Sequence, residues 1–164
     1  MRLKTIGVIH SPFREPAGMP INVHQARGVK GTVRVQRRYA AGLKDLAGFE
    51  RIWLIFRLHR ARRPRLVVTP FLDTVGRGVF STRAPARPNP IGISCVRLLR
   101  VKGNLLQVAD LDILDGTPLL DIKPYTPSDC FPRVRCGWMD KVPDRRVRAD
   151  GRFSAPGDNK KGRR

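Results

Sequence analysis

Two stretches of this chain carry residue types that could hold and activate a small charged ligand. The first is Gly78-Val-Phe-Ser-Thr-Arg-Ala-Pro-Ala-Arg-Pro-Asn-Pro-Ile-Gly92, where a short apolar run breaks into two arginines, three prolines, an asparagine and a glycine. Proline fixes φ, removes a backbone donor and pushes the residue before it toward extended geometry, so Pro85, Pro88 and Pro90 stiffen the segment and exclude a helix. Arg83 and Arg87 are carried on that pre-ordered backbone. A guanidinium held this way suits a carboxylate or phosphate through two parallel hydrogen bonds, with little entropy left to lose on binding. Composition also fits a plainer reading, a surface loop with solvated arginines.

The second stretch, Asp110-Leu-Asp-Ile-Leu-Asp-Gly-Thr-Pro-Leu-Leu-Asp-Ile-Lys-Pro-Tyr125, gathers four of the thirteen acidic residues of a very basic chain. Asp115-Gly116-Thr117-Pro118 has turn chemistry, with Gly116 able to take φ > 0, which puts Asp112 and Asp115 on either side of a strand end. A carboxylate there can accept ribose hydroxyls or hold an ammonium group. It can equally cap a turn or pair with Arg83 or Arg87 inside the fold, and for Asp121 and Lys123 that structural role is the expected one. His59 closes the run Arg51 to His59, at a strand end where a ligand mouth could open; lone histidines are more often structural.

The elements that must position these residues read as strands. Thr5 to His10, Gly31 to Gln36, Arg51 to His59, Leu66 to Thr69, Gly78 to Thr82, Ile93 to Val101 and Leu105 to Leu111 are short, rich in Val, Ile, Leu and Phe, and separated by turn residues. Without intervening amphipathic helices this predicts an all-β sandwich or barrel. In the third run Ile52, Leu54, Phe56 and Leu58 alternate with Arg51, Trp53, Ile55, Arg57 and His59 and predict a core face. Gly78 to Thr82 is expected as a buried strand leading into the proline loop, Ala41 to Ala47 as the helical turn, and Lys102-Gly103-Asn104 as a tight hairpin connection.

A length of 164 residues predicts one domain, here 1–143, and the formal charge of +20 from 33 Lys+Arg against 13 Asp+Glu calls for a polyanionic partner, nucleic acid by default. No apolar run reaches membrane-spanning length and no signal peptide is evident, so a cytoplasmic protein is expected. Cys95, Cys130 and Cys136 lack the spacing of a zinc site and read as free thiols; His10, His24 and His59 are scattered, and no metal is expected. Rossmann and phosphate-loop motifs are missing. Residues 144–164, with eight basic and three acidic residues and few large apolar ones, predict a disordered basic tail that holds polyanions loosely or serves only solubility.

Together the two motifs resemble the TrmO family, also called TsaA-like. Ile6-Gly-Val-Ile-His-Ser-Pro-Phe13, Leu46-Ala-Gly-Phe-Glu-Arg-Ile-Trp-Leu54 with His59, and Gly137-Trp138 resemble the same family in the same order, so the similarity runs from about Thr5 to Trp138. The resemblance implies a single β-barrel and a homodimeric, S-adenosylmethionine-dependent methyltransferase. It also implies the acceptor, N6 of a threonylcarbamoylated adenosine next to the anticodon of tRNA. Carried over by position, the cofactor site comprises Arg83, Arg87, Asn89, Pro90, Ile91 and Gly92 from the first motif, and Leu111, Asp112 and Asp115 from the second. His59 and Gln25 complete it, with Asp112 and His59 as candidates for general-base work. The chain departs from the family pattern at Ile21 to His24 and in the spacing of Leu66 to Arg77. A non-catalytic basic RNA-binding β-barrel is the rival expectation; it accounts for the charge and leaves the aspartate cluster opposite the arginines unexplained.

Overall fold

A computed structural model describes residues 3–142 and 147–154. Among the described residues there are eight strands: β1 (Gly7–His10), β2 (Gly31–Val35), β3 (Arg51–Arg57), β4 (Val67–Val68), β5 (Arg77–Gly78), β6 (Ile91–Lys102), β7 (Leu105–Ala109) and β8 (Thr117–Pro124). Six of them close an antiparallel barrel in the order β1-β2-β7-β6-β3-β8, while β4 and β5 form a separate ribbon. Closure leaves the barrel no free edge. Ile52 and Leu54 of β3, with Val33, Val96, Leu106 and Leu119, are fully enclosed, so the alternation read in the third run is the core face. The Gly103-Asn104 connection between β6 and β7 is the hairpin expected.

The run Thr117–Pro124 was not among the expected strands, yet it closes the ring by pairing with both β1 and β3. Two prolines and the charged pair Asp121 and Lys123 disguise it, because proline in a run argues against a central strand. It tolerates them with a bulge: Ile55 pairs with Asp121 and Phe56 with Leu119, so Leu120 is the extra residue. Asp121 and Lys123 form a 2.9 Å ion pair on the outer wall, the structural role expected of them, although with each other and not with an arginine.

The expected strand Gly78 to Thr82 is corrected. Only Arg77–Gly78 pair as a strand, and Val79–Ser81 forms a 3-10 turn with Val79 buried and Phe80 76% exposed. The Ser81 and Thr82 hydroxyls donate back to the carbonyls of Gly78 and Val79, at 2.8 and 2.9 Å. Such local side-chain bonds compete with a strand ladder. The expected helical turn divides into two 3-10 segments, Arg37–Leu43 and Leu46–Gly48, on either side of Asp45 at φ 65°.

Part of the expected tail also folds. Residues 147–154 lie against the body through bridges Pro20 to Arg148 and Ala61 to Ser154, and Phe153 is 6% exposed in a second apolar cluster with Val68, Val79, Ala84 and Ala86. One large apolar side chain anchors what composition marks as solvated. The rest of the expected tail, 155–164, lies outside the described residues, as does the junction 143–146.

Candidate ligand site at the barrel mouth

Antiparallel register brings six strand ends together. Strands β1, β3 and β7 finish where β2, β6 and β8 begin, as the pairs His10 with Thr32, Arg57 with Ile91, Ile9 with Thr117 and Val108 with Gly31 require. Both motifs open onto this end: the proline loop runs into β6, and residues 110–116 connect β7 to β8.

The proline loop is held from below. Ala84 and Ala86 are buried against Val68, Val79 and Phe153, so the extended backbone turns Arg83 outward and leaves Arg87 half-buried. Arg87 Nη1 donates to the carbonyls of Thr82 at 3.1 Å and Ala84 at 3.2 Å, bracing the loop. Short backbone bonds from Arg87 N to Pro85 O and from Ile91 N to Asn89 O tighten it further, and Leu58 N donates to Pro90 O, tying it to the end of β3. Gly92 has a packing reason: a Cβ there would run into the Phe56 ring. Pro90 and Asn89 therefore shape the loop through their carbonyls, and Ile91, 40% exposed, stands at its exit.

Three aspartates in the 110–116 connection meet three environments. Asp110, at φ 62° and enclosed, accepts from Gly28 N at 2.9 Å and Arg51 Nη2 at 3.0 Å, with Arg97 at 3.8 Å. Burial alone would raise its pKa, but the Gly28 and Arg51 bonds and the two arginine charges outweigh it and hold the carboxyl below its ordinary value. Asp115 accepts from Ser11 N at 3.1 Å and contacts His10 Nδ1 at 3.3 Å, and these partners likewise overcome burial to lower its pKa. It fastens the end of β1 to the turn, where Gly116 takes φ 74°. Asp112 differs: desolvation pushes its pKa up, opposed only in part by a hydrogen bond from the Ser94 hydroxyl and the nearby charge of Arg83. Its Oδ1 is enclosed and has no hydrogen-bond partner in the structure.

The structure thus places Arg83 where its charge reaches Asp112 across the two motifs, engages Arg87 with carbonyls of its own loop, and engages Asp115 with Ser11 and His10. Leu111 is fully buried in the barrel core, so its side chain is packing. Gln25 lies in the turn before β2, its N–H on Asn22 Oδ1 at 2.9 Å; that turn is joined to the second motif through Gly28 N to Asp110 and Leu111 N to Val29 O. His59 Nδ1 is 3.4 Å from Thr117 Oγ1, and since that hydroxyl already donates to Leu114 O, the ring is the donor in this contact. Burial first, then the charges of Arg60 and Arg57, lower the His59 pKa and favour the neutral ring.

Ser94 and Thr117 were not foreseen as site residues. Ser94 stands in the inward phase of β6 with Val96 and Leu98. A small hydroxyl at a core position is the signal that could have found it. Among the described residues no group of three or more His, Cys, Asp or Glu is gathered to hold a metal, and no helix is long and apolar enough to cross a membrane.

Residues 8–130 match the model of the tRNA-methyltransferase O N-terminal domain. The chain belongs to the TrmO family. It is 52% identical over 153 residues, 92% of this chain and 83% of the relative, to a protein of Pyrococcus abyssi named "Probable S-adenosyl-L-methionine-binding protein". It is 31% identical over 153 residues, 87% of this chain, to the tRNA (adenine(37)-N6)-methyltransferase of Escherichia coli. The crystal structure of TrmO from Pseudomonas aeruginosa superposes with a TM-score of 0.70 at 34% identity over 84% of this chain. The chain spans 65% of the length of the Escherichia coli protein and 62% of the Pseudomonas aeruginosa chain. The all-β barrel expected from the strand pattern is therefore the TrmO fold.

Proposed function

We propose that this TrmO-family chain transfers a methyl group from S-adenosylmethionine to N6 of the adenosine next to the anticodon of tRNA, with threonylcarbamoyladenosine as the acceptor. The observation that carries the reading is the enclosed, unpartnered Asp112 Oδ1 at the barrel mouth, opposite the outward guanidinium of Arg83. A buried carboxylate oxygen without a partner is costly, and such groups call for an explanation. A zwitterionic adenosyl ligand supplies one: its ribose hydroxyls or ammonium satisfy Asp112, and its carboxylate suits Arg83.

S-adenosylmethionine, when bound, supplies an electrophilic methyl on a sulfonium. The protein's part is alignment, which accounts for much of the acceleration of a bimolecular displacement. Arg83 and Asp112 hold the ligand from opposite sides, and the loop braced by Arg87 presents them without reorganising. No side chain is required as a nucleophile. Asp112 at Oδ1 and His59 at its ring are the candidates to take the proton released from the acceptor nitrogen, and the lowered pKa of His59 keeps it ready to accept one at neutral pH.

The charge of +20 supports tRNA as partner. A homodimer in the cytoplasm completes the reading. The test is methyl transfer from labelled S-adenosylmethionine to bulk tRNA from a deletion strain, with nucleoside mass spectrometry of the product. Methylated threonylcarbamoyladenosine is expected. Thermal stabilisation by S-adenosylmethionine with no RNA product would leave a binding protein, and neither result would return the chain to the rival RNA-binding barrel.

A further inference from the structure

A cleft of about 580 Å³ lies away from the barrel mouth. It lies between residues 72–77 and the 3-10 turn Gly137–Lys141, lined by Leu72, Asp73, Arg77, Trp138 and Lys141 among others. Its volume falls in the range of small-ligand sites. Trp138 is fixed there: its Nε1 donates to Ser81 O at 2.8 Å, and the Arg77 guanidinium lies 5.5 Å from its ring centroid. Arg77 is in turn held by Asp73 at 2.8 Å. Ser81 belongs to the turn that carries the exposed Phe80 and precedes Arg83 by two residues, so the cleft adjoins the proposed methyl-transfer site.

We propose that this cleft seats an unpaired RNA base, flanking the acceptor nucleotide, by stacking it on Trp138. A half-buried indole with a guanidinium already against it, cations at the rim and the exposed Phe80 next in sequence to its Ser81 partner are the parts of a single-strand stacking platform. The charge decides for RNA over a protein partner. Arg77 and Lys141 line the cleft, Arg133 and Arg135 precede the Trp138 turn as exposed residues, and the chain carries +20 overall. The single carboxylate in the cleft, Asp73, is spent on Arg77. This inference rests on the proposal that the acceptor is tRNA.

The test compares Trp138→Phe and Trp138→Leu in binding a synthetic anticodon stem-loop hairpin by fluorescence anisotropy. Trp138→Phe keeps a stacking face and loses the bond to Ser81 O; Trp138→Leu loses both. Trp138→Phe is expected to bind within about threefold of wild type and Trp138→Leu roughly 10- to 100-fold more weakly. The slope of log affinity on log salt should not change, because no phosphate contact is removed, and S-adenosylmethionine affinity should stay constant. Equal losses in both variants would make Trp138 only a tether for Ser81, and a changed oligomeric mass would give the face to a second protein; either overturns the proposal. Should Trp138→Leu not fold, Trp53→Phe leaves Trp138 as the sole tryptophan of two. Its emission should be quenched by the intact hairpin and not by one abasic at the flanking position. Equal quenching by both would refute the stacking. A wild-type chain that binds no hairpin overturns this inference together with the tRNA reading; one that binds with no loss in Trp138→Leu overturns this inference alone.

Discussion

The two motifs rest on cores of very different size. The 110–116 connection is rooted in the barrel, where Leu111 and Ile113 join a ring of enclosed side chains from every barrel strand. The proline loop rests on a satellite cluster of Val68, Val79, Ala84, Ala86 and Phe153, with Phe71 packed against it. Phe153 meets Phe71 edge-on with ring centroids 5.2 Å apart. One half of the candidate site is thus as stable as the fold, while the other depends on a few contacts and on a phenylalanine borrowed from the far end of the described chain. Regions with few buried apolar contacts open at lower free energy than the core. Proline and Arg87 compensate by limiting what the loop can become when it opens.

That contrast breaks most visibly in the barrel. Leu54→Ala, at a fully enclosed position of β3, should cost about 2–5 kcal/mol of global stability, read from denaturant unfolding, with both motifs lost together. Phe153→Ala should cost about 2–3 kcal/mol in the satellite cluster alone. Hydrogen exchange should then quicken in 66–69 and 79–90 and not in β3 or β6, while S-adenosylmethionine affinity falls. Uniform acceleration would mean that the two cores unfold as one.

Inside the site the same contrast separates residues that bind from residues that hold. Arg83→Ala should lower S-adenosylmethionine affinity roughly 10- to 100-fold by calorimetry with an unchanged melting temperature. Asp115→Ala should lower the melting temperature and leave the affinity alone. Asp112→Asn sharpens the point, since a carboxyl whose folded pKa is raised destabilises the fold above that pKa. The variant should melt higher by about 2–4 °C near neutral pH, with the gain fading as pH falls through the raised value toward the ordinary carboxylate one, and it should bind the cofactor more weakly. The smallest effect belongs to Arg87→Ala, which removes two bonds to loop carbonyls and should cost about 1 kcal/mol.

Much of the barrel was legible because period-two alternation in β2, β3, β6 and β7 is a local property, and Ile52, Leu54 and Phe56 fall where it puts them. Strand β8 was not, because its two prolines and charged pair argue against a strand unless a bulge and two partners are already in place. Residues 147–154 depart from the expected tail for a related reason: composition averages over a segment, and one Phe153 with a waiting pocket outweighs the exposed Arg148 and Arg152.

By itself the sequence determined the family, the all-β class and the two segments that lie at one end of the barrel, since motif and alternation are both written along the chain. Only the tertiary structure decided the division of labour within those segments. Arg83 and Arg87 are chemically the same residue, as are Asp112 and Asp115, until neighbours distant in sequence engage one member of each pair: Ser11 and His10 take Asp115, a turn of its own loop takes Arg87, and burial beside Ser94 sets Asp112 apart.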